Sequence, residues 1–239
     1  MIKERFWEID LLRGIAIVLM IIFNYSFALS YLNVYNFNGG WLYWDLFPRF
    51  IATLFISIAG LALTLNYNQT KDKKKVFLRG LKIFGAGLLI TFVTFLTFPG
   101  AFIVFGILHL IGISIILGLF FLNFKRLNIL LGLSLIALGI YLQNFIFDFK
   151  WLLWLGFTPE NFYTFDYFPI LPWFGVFLIG LYLGNVFYKN GKRIYKIKDF
   201  SNVSFVRFFS FLGRKSLIIY LLHQPFLIMI LLISGFKIF

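Results

Sequence analysis

The chain has 239 residues, 61% of them hydrophobic, with 35 phenylalanines and no cysteine; its mean hydropathy is +0.91. This composition reads as an integral membrane protein and excludes disulfides, thiol catalysis and cysteine metal sites. The formal net charge of +13 would suggest nucleic acid in a soluble protein; here the cations fall between apolar runs, where the positive-inside rule accounts for them, and no nucleic-acid partner is expected.

The first long run is EIDLLRGIAIVLMIIFNY, from Glu8 to Tyr25. It carries Glu8, Asp10 and Arg13 at one edge and an amide, Asn24, deep inside. Asp10 and Arg13 lie three apart, so on a helix they share a face and can neutralise each other. Two readings stay open: a charged collar at the water interface, or a polar patch facing a cavity in a bundle. The run is too long and too acid-flanked for a cleaved signal peptide, and no A-x-A-like site closes it.

Further apolar runs follow, giving about seven spans at 11–32, 46–66, 76–97, 101–122, 127–147, 168–188 and 214–238. WLLWLGF, Trp151 to Phe157, is too short to cross and reads as interfacial or re-entrant. Loop charges alternate. Lys3 and Arg5 precede the first span; Lys71, Lys73, Lys74 and Lys75 follow the second, with Arg79 and Lys82 just beyond. Lys125 and Arg126 follow the fourth, and a basic group from Lys189 to Lys215 follows the sixth. The loops between are poor in Lys and Arg. The expected fold is therefore an all-α polytopic membrane helix bundle, N-terminus cytoplasmic and C-terminus outside, forming a single domain over 1–239. No internal repeat is visible. SFVRFFSFLG in the sixth loop is amphipathic and suits the inner membrane surface. Gly180 and Gly184 form a G-x-x-x-G that permits close helix packing.

Both histidines fall in spans. His109, in GILHLIG, and His223, in IIYLLHQPF, are each expected roughly 14–15 Å deep, near the midplane. For each, the plain reading is a neutral imidazole donating to a neighbouring helix. Gln224 and Pro225 follow His223, Pro225 is expected to free the carbonyl of Leu221, and Tyr220 shares the face of His223. No carboxylate stands at ligand spacing from either histidine, so no metal is expected. The outward side carries Asn36, Asn38, Asp45 and Arg49 around Gly39–Gly40, with Trp41, Tyr43 and Trp44. DYFPILPWFG opens the sixth span with Asp166, Pro169, Pro172 and Trp173. Aromatics beside carboxylates suit a sugar or another polar alcohol, and equally an interfacial belt.

RGIAIVLMIIFNY, FNGG, DLFPRF and FISIAGLAL, with GILHLIG, DYFPILPWFG and LGRKSLIIYLLHQPF, together resemble the catalytic domain of heparan-alpha-glucosaminide N-acetyltransferase and its small prokaryotic relatives. The last stretch also resembles the C-terminal signature of the wider transmembrane acyltransferase superfamily. The resemblance covers nearly the whole chain. It implies acetyl transfer from cytoplasmic acetyl-CoA to a sugar or other envelope acceptor across the membrane. It also implies a histidine near the membrane, assisted by an Asn in the first span that Asn24 matches. The family's histidine in the first outward loop has no counterpart: Tyr25 to Asp45 contains no His, and Tyr35 stands near its place.

The residues then suggest His223 or His109 as the base, with Asn24 or Gln224 as oxyanion donors. Arg13, Arg79, Lys82 and Arg214 are candidates for the phosphates of coenzyme A. Asp45, Arg49, Asp166, Trp173 and Gln224 are candidates for the acceptor. The partners expected are membrane lipids and a small-molecule or glycan acceptor, with a homodimer left open. Two other readings stand beside this one: a solute or lipid transporter with the histidines along its path, and a non-catalytic family member acting as a subunit.

Overall fold

Long apolar runs with few β-breaking polar residues close their backbone hydrogen bonds internally, and helices are what forms. The computed structural model describes residues 5–35, 37–189 and 191–233. Lys3, Asn36 and the end of the last predicted span lie outside them. Among the described residues the order is α1 (Trp7–Tyr31), a π-turn at Leu42–Leu46 leading into α2 (Phe47–Thr70), α3 (Lys73–Thr97), α4 (Ile107–Phe121), α5 (Leu127–Leu142) and α6 (Ile170–Phe187). A two-residue hairpin follows, β1 (Tyr188–Lys189) and β2 (Lys192–Arg193), then α7 (Ser204–Arg214) and α8 (Ser216–Ile233). The fold is all-α apart from that hairpin. Among the described residues five segments are long and apolar enough to cross a membrane: α1, the helical stretch from Leu42 to Thr70, α3, α6 and α8. Helices α4 and α5 are as apolar but have 15 and 16 residues.

The chain forms two compact units, the boundary falling within α2. In the first, which takes the chain up to Phe55 and from Lys198 onward, α7 packs on α1. Small residues allow this approach: a side chain at Gly14 would collide with the carbonyl of Phe209, and one at Gly213 with the carbonyl of Asp10. Ser210 Oγ donates to Trp7 O at 3.3 Å across the same contact. Ile17, Met20 and Ile51 form a buried core that Ile219, Tyr220 and Leu212 pack against. The contacts rise in step on α1 and α8, so the first and last helices run in the same sense.

The second unit, Ile56–Ile197, pairs α3 with α4 and α5 with α6 as antiparallel neighbours. Gly180 faces Ser57 O, and Thr64 Oγ1 donates to Leu181 O at 3.1 Å. Farther along, Gly184 meets Thr64, and Gln69 Nε2 donates to Gly191 O at 3.4 Å. The G-x-x-x-G thus receives the backbone of α2, with α2 and α6 running in the same sense. WLLWLGF contains a single 3₁₀ turn, Leu153–Leu155.

Two expectations are corrected. The run predicted as a span from 101 is helical only from Ile107. Residues 101–105 lie beside 164–168: Thr164 Oγ1 donates to Phe102 O at 2.7 Å, Phe165 N to Ala101 O at 3.1 Å and Phe168 N to Phe105 O at 2.9 Å. His109 is therefore in the first turn of α4 and not in the middle of a helix. The second correction concerns Pro225, whose missing N–H leaves α8 unbroken: the helix continues through it to Ile233. One lost backbone bond is tolerated within a helix otherwise held by its neighbours.

Candidate active site

In the first unit, α8 carries the sequence IIYLLHQPF past α1. His223 is buried. Its Nδ1 lies within hydrogen-bond reach of the carbonyl of Tyr220, one turn back. A carbonyl only accepts, so Nδ1 carries the proton and Nε2 presents a lone pair. That Nε2 is buried and has no hydrogen-bond partner among the described residues. The Tyr220 ring lies 5.3 Å from the imidazole, centroid to centroid, and holds its orientation.

The next residue reaches α1. Gln224 Nε2 donates to Asn24 Oδ1 at 3.3 Å, and Asn24 Nδ2 donates to Met20 O at 3.0 Å. The two amides are thereby ordered in a fixed head-to-tail sense at the level of His223. Two sequence candidates, Gln224 and Asn24, meet directly, and a third, His223, is the preceding residue on α8 in the same unit.

Toward the start of α1, Arg13 Nη1 stands 3.6 Å from Asp10 Oδ1, as the three-residue spacing required. Arg5 and Arg214 also act electrostatically on Asp10, together with the Glu8 carboxylate. Arg13 and Arg214, two of the proposed phosphate ligands, are thus neighbours of one carboxylate. Eleven residues separate Arg13 from Asn24, a rise of about 16 Å along α1. Arg79 and Lys82 lie exposed on α3 in the second unit.

Beyond Asn24, Tyr43 Oη donates to Ser26 Oγ at 2.7 Å and ties the π-turn to α1. Phe23, Phe37, Trp44 and Phe47 pack around the Tyr43 ring. Asp45 and Arg49 form an exposed pair at 3.9 Å, a geometry that contributes about 0–1 kcal/mol. Tyr35 is exposed nearby in sequence.

His109 is differently placed. Gly106 N–H donates to its Nδ1 at 3.2 Å, so Nε2 bears the proton and donates to Thr91 Oγ1 at 3.2 Å. Thr91 Oγ1 in turn donates to Ile103 O at 2.7 Å. Both ring nitrogens are committed, and the ring sits against Gly87 of α3, where a side chain would crowd it. The expectation of an imidazole donating to a neighbouring helix holds here, the acceptor being Thr91. Asp166 Oδ2 accepts from Ile107 N at 3.0 Å and caps the same helix start, where a carboxylate complements the dipole. Trp173 packs its ring on Phe168, 5.0 Å between centroids. Tyr167 Oη donates to Leu153 O at 2.8 Å, and burial pushes this hydroxyl well above its ordinary pKa. Asp166 and Trp173 both belong to the second unit. Thr91 and Gly87 escaped sequence reading because nothing in their spacing marks them; only the fold brings them to His109.

Among the described residues no group of three or more His, Asp or Glu is placed to hold a metal ion.

The family model described as heparan-alpha-glucosaminide N-acetyltransferase, catalytic, matches residues 5–225, from the arginine before α1 through the His-Gln-Pro of α8. The chain belongs to this family. Neither the curated proteins nor the solved structures compared with it gave a match. Family membership and the apolar helices together make it a multi-pass, acyltransferase-like membrane protein. Every residue of the His223–Gln224–Asn24 group falls inside the matched range.

Proposed function

We propose that the protein transfers an acetyl group from cytoplasmic acetyl-CoA to a hydroxyl or amine of an envelope acceptor, a sugar in the first instance, on the far side of the membrane. The observation that carries this reading is the buried Nε2 of His223, without a hydrogen-bond partner among the described residues, one position along α8 from the Gln224–Asn24 amide pair. A base needs an oriented ring with its lone pair free, and the Tyr220 carbonyl supplies that orientation. In this reading Nε2 takes the acceptor proton as the acceptor attacks the thioester carbonyl. An amide N–H of Asn24 or Gln224 steadies the oxyanion, and the thiolate of coenzyme A leaves and is protonated by the imidazolium. Arg13 and Arg214 hold the phosphates at the other end of the helix. The separation of about 16 Å along α1 is of a size for an extended pantetheine arm.

The proposed topology has seven crossings with the N-terminus cytoplasmic, the whole chain working as one domain. The alternating loop charges support it. The parallel courses of α1 and α8, and of α2 and α6, are in keeping with it. The apolar residues 101–105 before α4 add length that this helix lacks.

The test is calorimetry of acetyl-CoA with the purified protein in detergent, wild type against Arg13→Ala, followed by release of coenzyme A thiol with glucosamine as the acceptor probe. Binding by the wild type that weakens in Arg13→Ala, with thiol release lost in a folded His223→Ala variant, is expected. No binding by the wild type overturns the donor assignment; undiminished release in His223→Ala removes that residue from the chemistry.

A further inference from the structure

Helix α7 has one face that the protein covers and another that it leaves bare. Val206, Ser210 and Gly213 are buried against α1. Away from them, Phe205, Phe208 and Phe211 remain 60%, 58% and 50% exposed. Spaced three apart, they share one side of the helix. Cations border this side: Lys198, Arg207, Arg214 and Lys215 are exposed, against a single acid, Asp199, in the stretch 198–215. The charges stand at the level of the rings. Arg214 lies 5.9 Å from the Phe211 ring and Lys198 lies 5.9 Å from the exposed Phe200 ring.

We infer that α7 is an anionic-phospholipid binding element, its three phenylalanines seated among acyl chains and Lys198, Arg207 and Lys215 on phosphate headgroups. Apolar rings alone would fit any lipid. What selects an anionic one is the border of cations, each of which gains severalfold in affinity near a negative bilayer surface. A second copy of the chain is a poorer occupant, because a two-fold contact would set this excess of positive charge against itself. One residue, Lys215, separates α7 from α8, so lipid held on α7 also bears on the helix that carries His223.

The absence of cysteine allows a single fluorophore to be placed at Phe208→Cys or, as a second site, Phe205→Cys. The labelled protein is put in nanodiscs containing, at equal mole fraction, either phosphatidylglycerol or phosphatidylcholine bearing an acyl-chain nitroxide. Quenching by the phosphatidylglycerol probe should exceed that by the phosphatidylcholine probe. High salt, or Arg207→Gln with Lys215→Gln in a variant that elutes and melts like the parent, should abolish the excess, corresponding to roughly thirtyfold weaker anionic-lipid binding. Equal quenching by both probes overturns the inference. So does an absence of quenching by either, with excimer emission from pyrene-labelled protein showing that a second copy covers the face.

Discussion

Replacing His109 by phenylalanine keeps the ring and removes both nitrogens. The imidazole is 2% exposed, so water does not replace what is lost. Gly106 N–H, donating to Nδ1 at 3.2 Å, is left buried without an acceptor, which costs about 1–3 kcal/mol. The bond from Nε2 to Thr91 Oγ1 goes as well, for about 0.5–1.5 kcal/mol. The sum is about 1.5–4.5 kcal/mol of stability. His109→Asn can still present an oxygen to Gly106 and should lose only the Thr91 share, about 1 kcal/mol. The assay is unfolding in mixed micelles, with acetyl-CoA turnover expressed per folded molecule. That turnover should stay at the wild-type level, whereas loss of a general base costs roughly 10²–10⁴-fold. A folded His109→Phe protein with wild-type stability, or one that has lost turnover, would refute the assignment of His109 to structure.

Asp166→Ala should destabilise by about 1 kcal/mol through loss of the α4 cap, and Asp166→Asn by less, in the same unfolding assay; a selective loss of acceptor affinity would instead place Asp166 at the substrate. Gly180→Leu drives a side chain into the carbonyl of Ser57 and should abolish a monodisperse elution profile, while exposed Gly85 tolerates alanine. Gln224→Ala should lower turnover with little change in acetyl-CoA affinity, and Gln224→Glu should lower it further because its acceptor oxygens face Asn24 Oδ1. A fall in acetyl-CoA affinity alone would move Gln224 to the donor side.

Some of this was legible beforehand because it is local. The Asp10–Arg13 pair follows from a three-residue spacing, the Tyr220–His223 contact from the same arithmetic, and the glycines of α6 from their four-residue repeat. The contact between Asn24 and Gln224 joins positions 200 residues apart, which periodicity cannot reach. The misreading of His109 came from treating Ala101 to Phe105 as helix because it is apolar. An apolar run that short fits an extended segment equally well, and Gly100 and Gly106 at its ends were the signal for the break. Pro225 misled in the opposite way: a missing donor removes one bond, and the remaining turns of α8 keep the helix together.

The Asn24–Gln224 bond also sets an order of events in synthesis. α1 is synthesised before α8, and until α8 arrives the Asn24 amide has Met20 O of its own helix as its partner. Its second partner sits on the last helix, so most of the chain must leave the ribosome before that amide is met. During that interval the first helix carries an incompletely solvated polar group in hydrocarbon, a debt of about 1–2 kcal/mol by model-peptide measure.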